Sequence, residues 1–193
     1  KKGNITQGKN LISFEIAKRY IHNFLDTEIQ FLKDGNHIQL LAVEASVAYD
    51  FDHSEVDFPI KLKGNIDRVD ICNGVQRIID YKTSKVVQTD LNLVEWAHIT
   101  QDYQKHSKSF QILMYAYLLN NTQPYDGPTV AGIFSFKNFK EGVLIFTKKN
   151  KPGPSALKQQ HITKEILQAY EKQLVEMLKE LFNPEMEFIE KEV

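Results

Sequence analysis

Asp67, Asp80 and Lys82 are the residues whose types and spacing can do chemistry. They lie on two apolar-rich segments, Gly64 to Cys72 and Val75 to Thr83, joined by Asn73-Gly74. An Asn-Gly pair between two such segments predicts a two-residue type I′ hairpin turn, because both central positions of that turn need positive φ. Cys72 then faces Val75. Carrying the register outward places Asp70 opposite Arg77, as a cross-strand ion pair, and Asp67 opposite Asp80. Directly opposed residues on antiparallel strands have Cβ atoms about 4.5 to 5.5 Å apart. Two carboxylates that close repel unless a cation lies between them or one takes up a proton. Lys82, two residues beyond Asp80, projects from the same face. Two acids and a lysine on one face suit phosphodiester cleavage. Mg²⁺ or Mn²⁺ is held by one or two carboxylates with waters and phosphate oxygens, and lowers the pKa of a bound water. A lysine positions that water and stabilises the charge that develops. An isolated Asp-x-Lys pair would carry little weight. The opposed acids, the in-phase lysine and the apolar flanks together carry the expectation.

The elements that must position these residues follow from periodicity. Residues 10–32 recur at helical spacing, with Leu11, Phe14, Ile21, Leu25 and Leu32 among the apolar positions. Residues 37–51 read as a strand, 52–57 as an acidic loop, and 59–72 and 75–82 as the two strands of the hairpin. Residues 89–99, with Trp96, suggest a short helix. Residues 106–120 form an amphipathic helix with Phe110, Leu113, Met114, Tyr117 and Leu118 on one side, ended by Asn120-Asn121 and Pro124. Strands are expected at 128–136 and 142–148, a basic loop at 149–154, and a terminal helix at 162–183. The expected class is mixed α/β (α+β), with a central mixed sheet flanked by helices.

Composition bounds the rest. The 193 residues suit one domain with a real core. Hydrophobic residues at 42% and charged residues at 25% are ordinary for a globular protein. No apolar run approaches the roughly 20 residues of a membrane span, and no signal-peptide pattern is visible. Cys72 is the only cysteine, which excludes a disulfide framework or cysteine zinc site within the chain and fits a reducing, cytoplasmic setting. The net charge of -1 means that any nucleic acid must be met by a local basic surface.

The segment Gly64-x-Ile66-Asp67-Arg68-Val69-Asp70, followed by Ile79-Asp80-Tyr81-Lys82-Thr83, resembles the central motifs of RecB-like nucleases of the PD-(D/E)XK superfamily, the helicase-nuclease and AddB-like exonuclease type. Gln111-Ile112-Leu113-Met114-Tyr115 resembles that family's downstream Q-x-x-x-Y helix. The resemblance covers about residues 44–120 and implies a restriction-endonuclease-like core over residues 1–193. It implies Asp67 and Asp80 as metal ligands with the Tyr81 carbonyl, Lys82 as the catalytic lysine, and Gln111 and Tyr115 on one helix face toward the site. It further implies a Mg²⁺- or Mn²⁺-dependent exonuclease acting on single-stranded DNA in repair or recombination, beside a helicase-like region. The plainer reading of Gln111 and Tyr115 is a helix packing on the sheet.

The pattern departs from the family in places. The upstream helix whose His or Glu completes the metal site is not found: His22 lacks the small residues that precede that histidine. Since the sequence starts at Lys1, the expectation is an excerpt of a longer chain carrying that helix. Glu44, in Val43-Glu44-Ala45, resembles a supporting glutamate of relatives. A family iron–sulfur cluster needs four cysteine thiolates, which Cys72 alone cannot supply. Arg68 is a candidate phosphate contact. Lys137, Lys140, Lys148, Lys149 and Lys151, near Phe136 and Phe139, form a basic, aromatic stretch suited to guiding a strand, or simply a solvated loop. Two other functions compete: an inactive nuclease fold that binds DNA or a protein, and a different metal-dependent hydrolase.

Overall fold

The computed structural model describes residues 7–187. Compact packing divides the chain between Ile38 and Gln39. The first unit is dominated by one helix, α1 (Gly8–Lys33). It ends at Asp34, whose N–H reaches the Gln30 carbonyl and whose carboxylate accepts from Gln30 Nε2 at 2.7 Å, before Gly35 turns the chain at φ 88°. The expected helix at 10–32 is thus present and slightly longer.

The second unit is built on a mixed sheet. Its strands are β1 (Ile38–Phe51, which starts at the division), β2 (Ile60–Cys72), β3 (Val75–Lys82), β5 (Thr129–Ser135) and β6 (Val143–Ile145), in the order β1-β2-β3-β5-β6. β2 and β3 are the anticipated hairpin. Asn73 and Gly74 take φ of 50° and 83°, and Cys72 pairs with Val75. The ladder runs out through Asp70↔Arg77 to Arg68↔Ile79 and ends there. β3 continues on its other side, parallel to β5, with Asp80↔Ile133 and Lys82↔Ser135. β5 and β6 are antiparallel.

A parallel pair needs a crossover, and this one carries α2 (His98–Gln101) and α3 (Tyr103–Thr122). Ile112, Leu113, Ala116 and Leu118 of α3 are buried in the core with Ile66, Val69 and Ile78 of the sheet and Ile133 of β5. α4 (Lys164–Leu181), capped by the Thr163 hydroxyl, covers α3: the Tyr170 ring lies 5.5 Å from Phe110 and 6.1 Å from Tyr117. The layers are sheet, α3 and α4.

Two expectations change. The segment 89–99 is not a helix. A single 3-10 turn, Gln88–Leu91, leads into β4 (Asn92–Leu93), because Leu91 and Leu93 are both fully buried, the alternation of an extended chain. The strand expected at 142–148 divides at Phe146 (1% exposed): β6 stays in the main sheet, while β7 (Thr147–Lys149) joins β4 and a short edge strand, β8 (Lys158–Gln159), in a second sheet.

Among the described residues, a buried imidazole on α3 is left without a hydrogen-bond partner. His106 of α3 is 2% exposed, stacks on His98 at 6.1 Å, and neither ring nitrogen has a hydrogen-bond partner. Burial, then Lys105, pushes its pKa below the ordinary value, with Asp102 opposing. A histidine whose folded pKa is depressed lends stability above its unfolded pKa, and that stability is lost as pH falls through the depressed value. The melting temperature should therefore fall on acidification from about pH 7 to about pH 5, and His106→Leu should flatten the fall. Thermal melts at the two pH values check this.

Candidate active site

The site forms where β2 and β3 part. The Asp67 carboxylate, half-buried on β2, accepts the Tyr81 main-chain N–H at 2.7 Å. That side-chain bond stands where a further rung of ladder would have been. The expected opposition of Asp67 and Asp80 is therefore a fork: the two carboxylates remain electrostatically coupled, but the main-chain pairing stops one residue short.

Asp80 is 3% exposed. Lys82 Nζ lies 2.8 Å from Asp80 Oδ2 and donates to Gln111 Oε1 at 2.9 Å. Gln111 Nε2 donates to Asp80 Oδ1 at 3.2 Å and to the Tyr115 hydroxyl at 2.8 Å. The amide can point only this way, because an ammonium only donates and a carboxylate only accepts. α3 thus reaches down to the two charged residues with one amide, and Tyr115, one turn on, braces it. Lys82 meets the buried Oδ2 as an ionic contact, and no other donor reaches that oxygen among the described residues. Burial pushes the Asp80 pKa up, Lys82 pulls it down, and Asp67 adds to the rise.

This donor set fits a hard divalent cation. Among the described residues no three His, Cys, Asp or Glu side chains gather into a cage. Two carboxylates are what remains, the more buried of them in ionic contact with the Lys82 ammonium. An ion that keeps several waters and is completed by substrate oxygens suits such a site, as Mg²⁺ does.

The other expected residues divide. Tyr81 contributes its main chain between Asp80 and Lys82, while its ring lies among Phe134 and Phe136 and its hydroxyl accepts from Arg68 at 3.2 Å. Arg68 is corrected: it is 8% exposed and its Nε donates to Asp70 at 2.6 Å, so its charge is engaged inside the sheet and not presented to a phosphate. Glu44 is exposed and adopts φ 50°, which takes it out of regular strand geometry, and it joins no acidic cluster. Lys137 and Lys140 are exposed on the β5–β6 connection, at the end of the sheet where the Phe136 N–H bonds the Lys82 carbonyl. Lys148 turns inward, donating to the carbonyls of Val94 and Lys149 over the Trp96 ring, so the single basic loop expected around Phe136 and Phe139 does not exist as one surface.

The sequence model of the PD-(D/E)XK nuclease superfamily matches residues 12–192. The chain belongs to that superfamily. Its members are metal-dependent nucleases that generally use Mg²⁺ or Mn²⁺, and the mixed sheet flanked by helices is consistent with their restriction-endonuclease-like fold. No curated protein gives a significant match. No helix of the described residues is long and apolar enough to cross a membrane.

Gly64, the first residue of the motif, supports the site without carrying chemistry itself. A Cβ on Gly64 would lie 3.0 Å from Leu118 Cδ1 and 3.1 Å from the Tyr115 ring. Glycine inside a strand signals such a close approach, and here it lets α3 settle over β2. Gly64→Ala should push Tyr115 aside, loosen the Gln111 amide and lower nuclease turnover more than it lowers the melting temperature. Activity and melting measured on the same preparation check it. A second prediction concerns Asp80. Its raised pKa means that the ionised form destabilises the metal-free fold: stability is full below the unfolded pKa and is lost as pH rises through the folded one. Asp80→Asn should raise the metal-free melting temperature at neutral pH, and the gain should vanish in acid. A fall at neutral pH would contradict the burial argument.

Proposed function

We propose that the chain is the nuclease part of a RecB-like, AddB-type helicase-nuclease: a Mg²⁺- or Mn²⁺-dependent deoxyribonuclease that trims single-stranded DNA ends in repair or recombination. The observation that carries the reading is the placement of Lys82 Nζ between Asp80 and Gln111, with the Asp67 carboxylate on the N–H of the neighbouring Tyr81. Asp67, Asp80 and the Tyr81 carbonyl would hold the ion, which when bound lowers the pKa of a coordinated water and offsets charge on the phosphate.

Every other task falls to this chain's side chains. The Asp80 carboxylate and the Gln111 amide fix the ammonium of Lys82 in one position, so it is ready to orient a water or to meet charge building on a phosphate oxygen without reorganising. The hydroxyl of Tyr115 holds the amide in its working orientation. The half-buried setting, with Lys82 at 29% side-chain exposure, strengthens these contacts over their value in water while leaving the strand an approach. The leaving group is the sugar hydroxyl.

Mn²⁺ titration calorimetry should show binding by the wild type and its loss in Asp80→Asn. With Mn²⁺ and end-labelled single-stranded DNA, Lys82→Ala should cut roughly 10²-fold more slowly than wild type while still binding the metal. Cutting by Lys82→Ala at the wild-type rate would sink the assignment of the lysine. Binding of DNA without cutting by the wild type would favour the inactive-module alternative.

A further inference from the structure

The net charge of the chain is -1, yet the residues from Gly142 to Lys164 contain no Asp or Glu and five lysines, at 148, 149, 151, 158 and 164. Four of them belong to the hairpin of β7 and β8. Its register sets Lys149 directly opposite Lys158. Directly opposed like charges destabilise a ladder, and here nothing neutralises them: no ion pair among the described residues uses Lys149, Lys151 or Lys158. The arrangement is the positive counterpart of the Asp67 and Asp80 fork, and it asks for an anion as that fork asks for a cation.

The hairpin is also built to hold its shape. The Asn150 side chain accepts the Leu157 N–H at 2.9 Å and closes the loop, whose tip, Pro152-Gly153-Pro154, is stiffened by two prolines around a glycine at φ 95°. At the base, Gln160 Nε2 donates to the Thr147 hydroxyl, and Gln88 Nε2 reaches the Ile145 carbonyl at 2.8 Å. Gln88 opens the 3-10 turn that follows the strand bearing Asp80 and Lys82, so the arm is tied to the segment leaving the site. Lys148, turned inward over Trp96, is part of the anchoring.

We infer that this hairpin is a docking arm for the phosphodiester backbone of a single DNA strand, with Lys149 and Lys158 taking one phosphate between them and Lys151 a neighbouring one. The inference rests on the nuclease reading for the identity of the polyanion. Charge complementarity chooses the occupant: the arm is a lysine cluster of one sign on a chain of balanced charge, and ammonium groups meet phosphates and not base edges, so it holds a strand without regard to sequence.

The test uses the whole chain, wild type and a triple variant, Lys149→Ala/Lys151→Ala/Lys158→Ala, with a fluorescent oligothymidylate strand and EDTA to prevent cutting. Anisotropy titrations over a range of salt give affinity and its salt dependence. The expected result is roughly ten-fold weaker binding and a log–log salt slope shallower by about 1.4, since each of the two lost single-strand phosphate contacts removes about 0.7. Arginine at the three positions should restore the slope. With Mn²⁺, the variant should show a raised KM and an unchanged kcat. A triple variant that binds with wild-type affinity and slope, from a wild type that cuts, overturns the arm alone. A wild type that neither binds nor cuts overturns the nuclease reading and the arm with it.

Discussion

The positions of Asp67, Asp80 and Lys82 depend on the register of β2 against β3, and a buried carboxylate fixes that register. Asp70 is fully buried, bonded by Arg77 Nε at 2.7 Å and Nη2 at 2.8 Å from the facing strand and by Arg68 Nε at 2.6 Å from its own. A slip of one residue would turn every side chain of the strand to the opposite face, and would strand charges in the interior, which costs about 3–5 kcal/mol when one partner of a buried pair is lost. The Asn73-Gly74 turn selects the register locally, and the Asp70 cluster makes the alternatives expensive. Asp67 and Asp80 inherit their meeting from that choice.

The same logic explains why the strands part where they do. Carboxylates forced into a regular rung would repel at close range. The chain instead gives one of them, Asp67, the main-chain N–H of Tyr81, while β3 stays paired with β5 from Gln76 to Lys82. The sheet stays continuous on one side and opens on the other. α3 closes over the opening with an amide that satisfies a cation and an anion at once, and Gly64 sets how near it can come.

Much of this was legible in the sequence, for identifiable reasons. The turn dipeptide and period-2 alternation gave β2, β3 and the Asp70–Arg77 pair, since both are local signals. The Q-x-x-x-Y spacing placed Gln111 and Tyr115 on one helix face, which the hydrogen bond between them reflects. What escaped depends on partners distant in sequence. Arg68 looked like a surface base because nothing in its neighbourhood announces that Asp70 is fully buried. Leu91 and Leu93 looked helical because the second sheet that buries them comes from residues 147–159. Glu44 carries a positive φ that its residue type does not suggest. Lys148 reads as one more basic residue until Trp96 and the Val94 carbonyl are seen beneath it.

The crossover between β3 and β5 has a consequence for the order in which the domain forms. Asp67, Asp80 and Lys82 sit on one hairpin, whose closure involves only neighbouring residues and is fast. Gln111 and Tyr115 lie on the helix that must be laid over the sheet before Thr129 can pair beside Gln76, and closing that long excursion costs chain entropy before any parallel contact repays it. The lysine is therefore tethered only when the domain is nearly complete. Until α3 is laid over the sheet, the hairpin lacks the Gln111 amide that contacts both Asp80 and Lys82 in the folded chain.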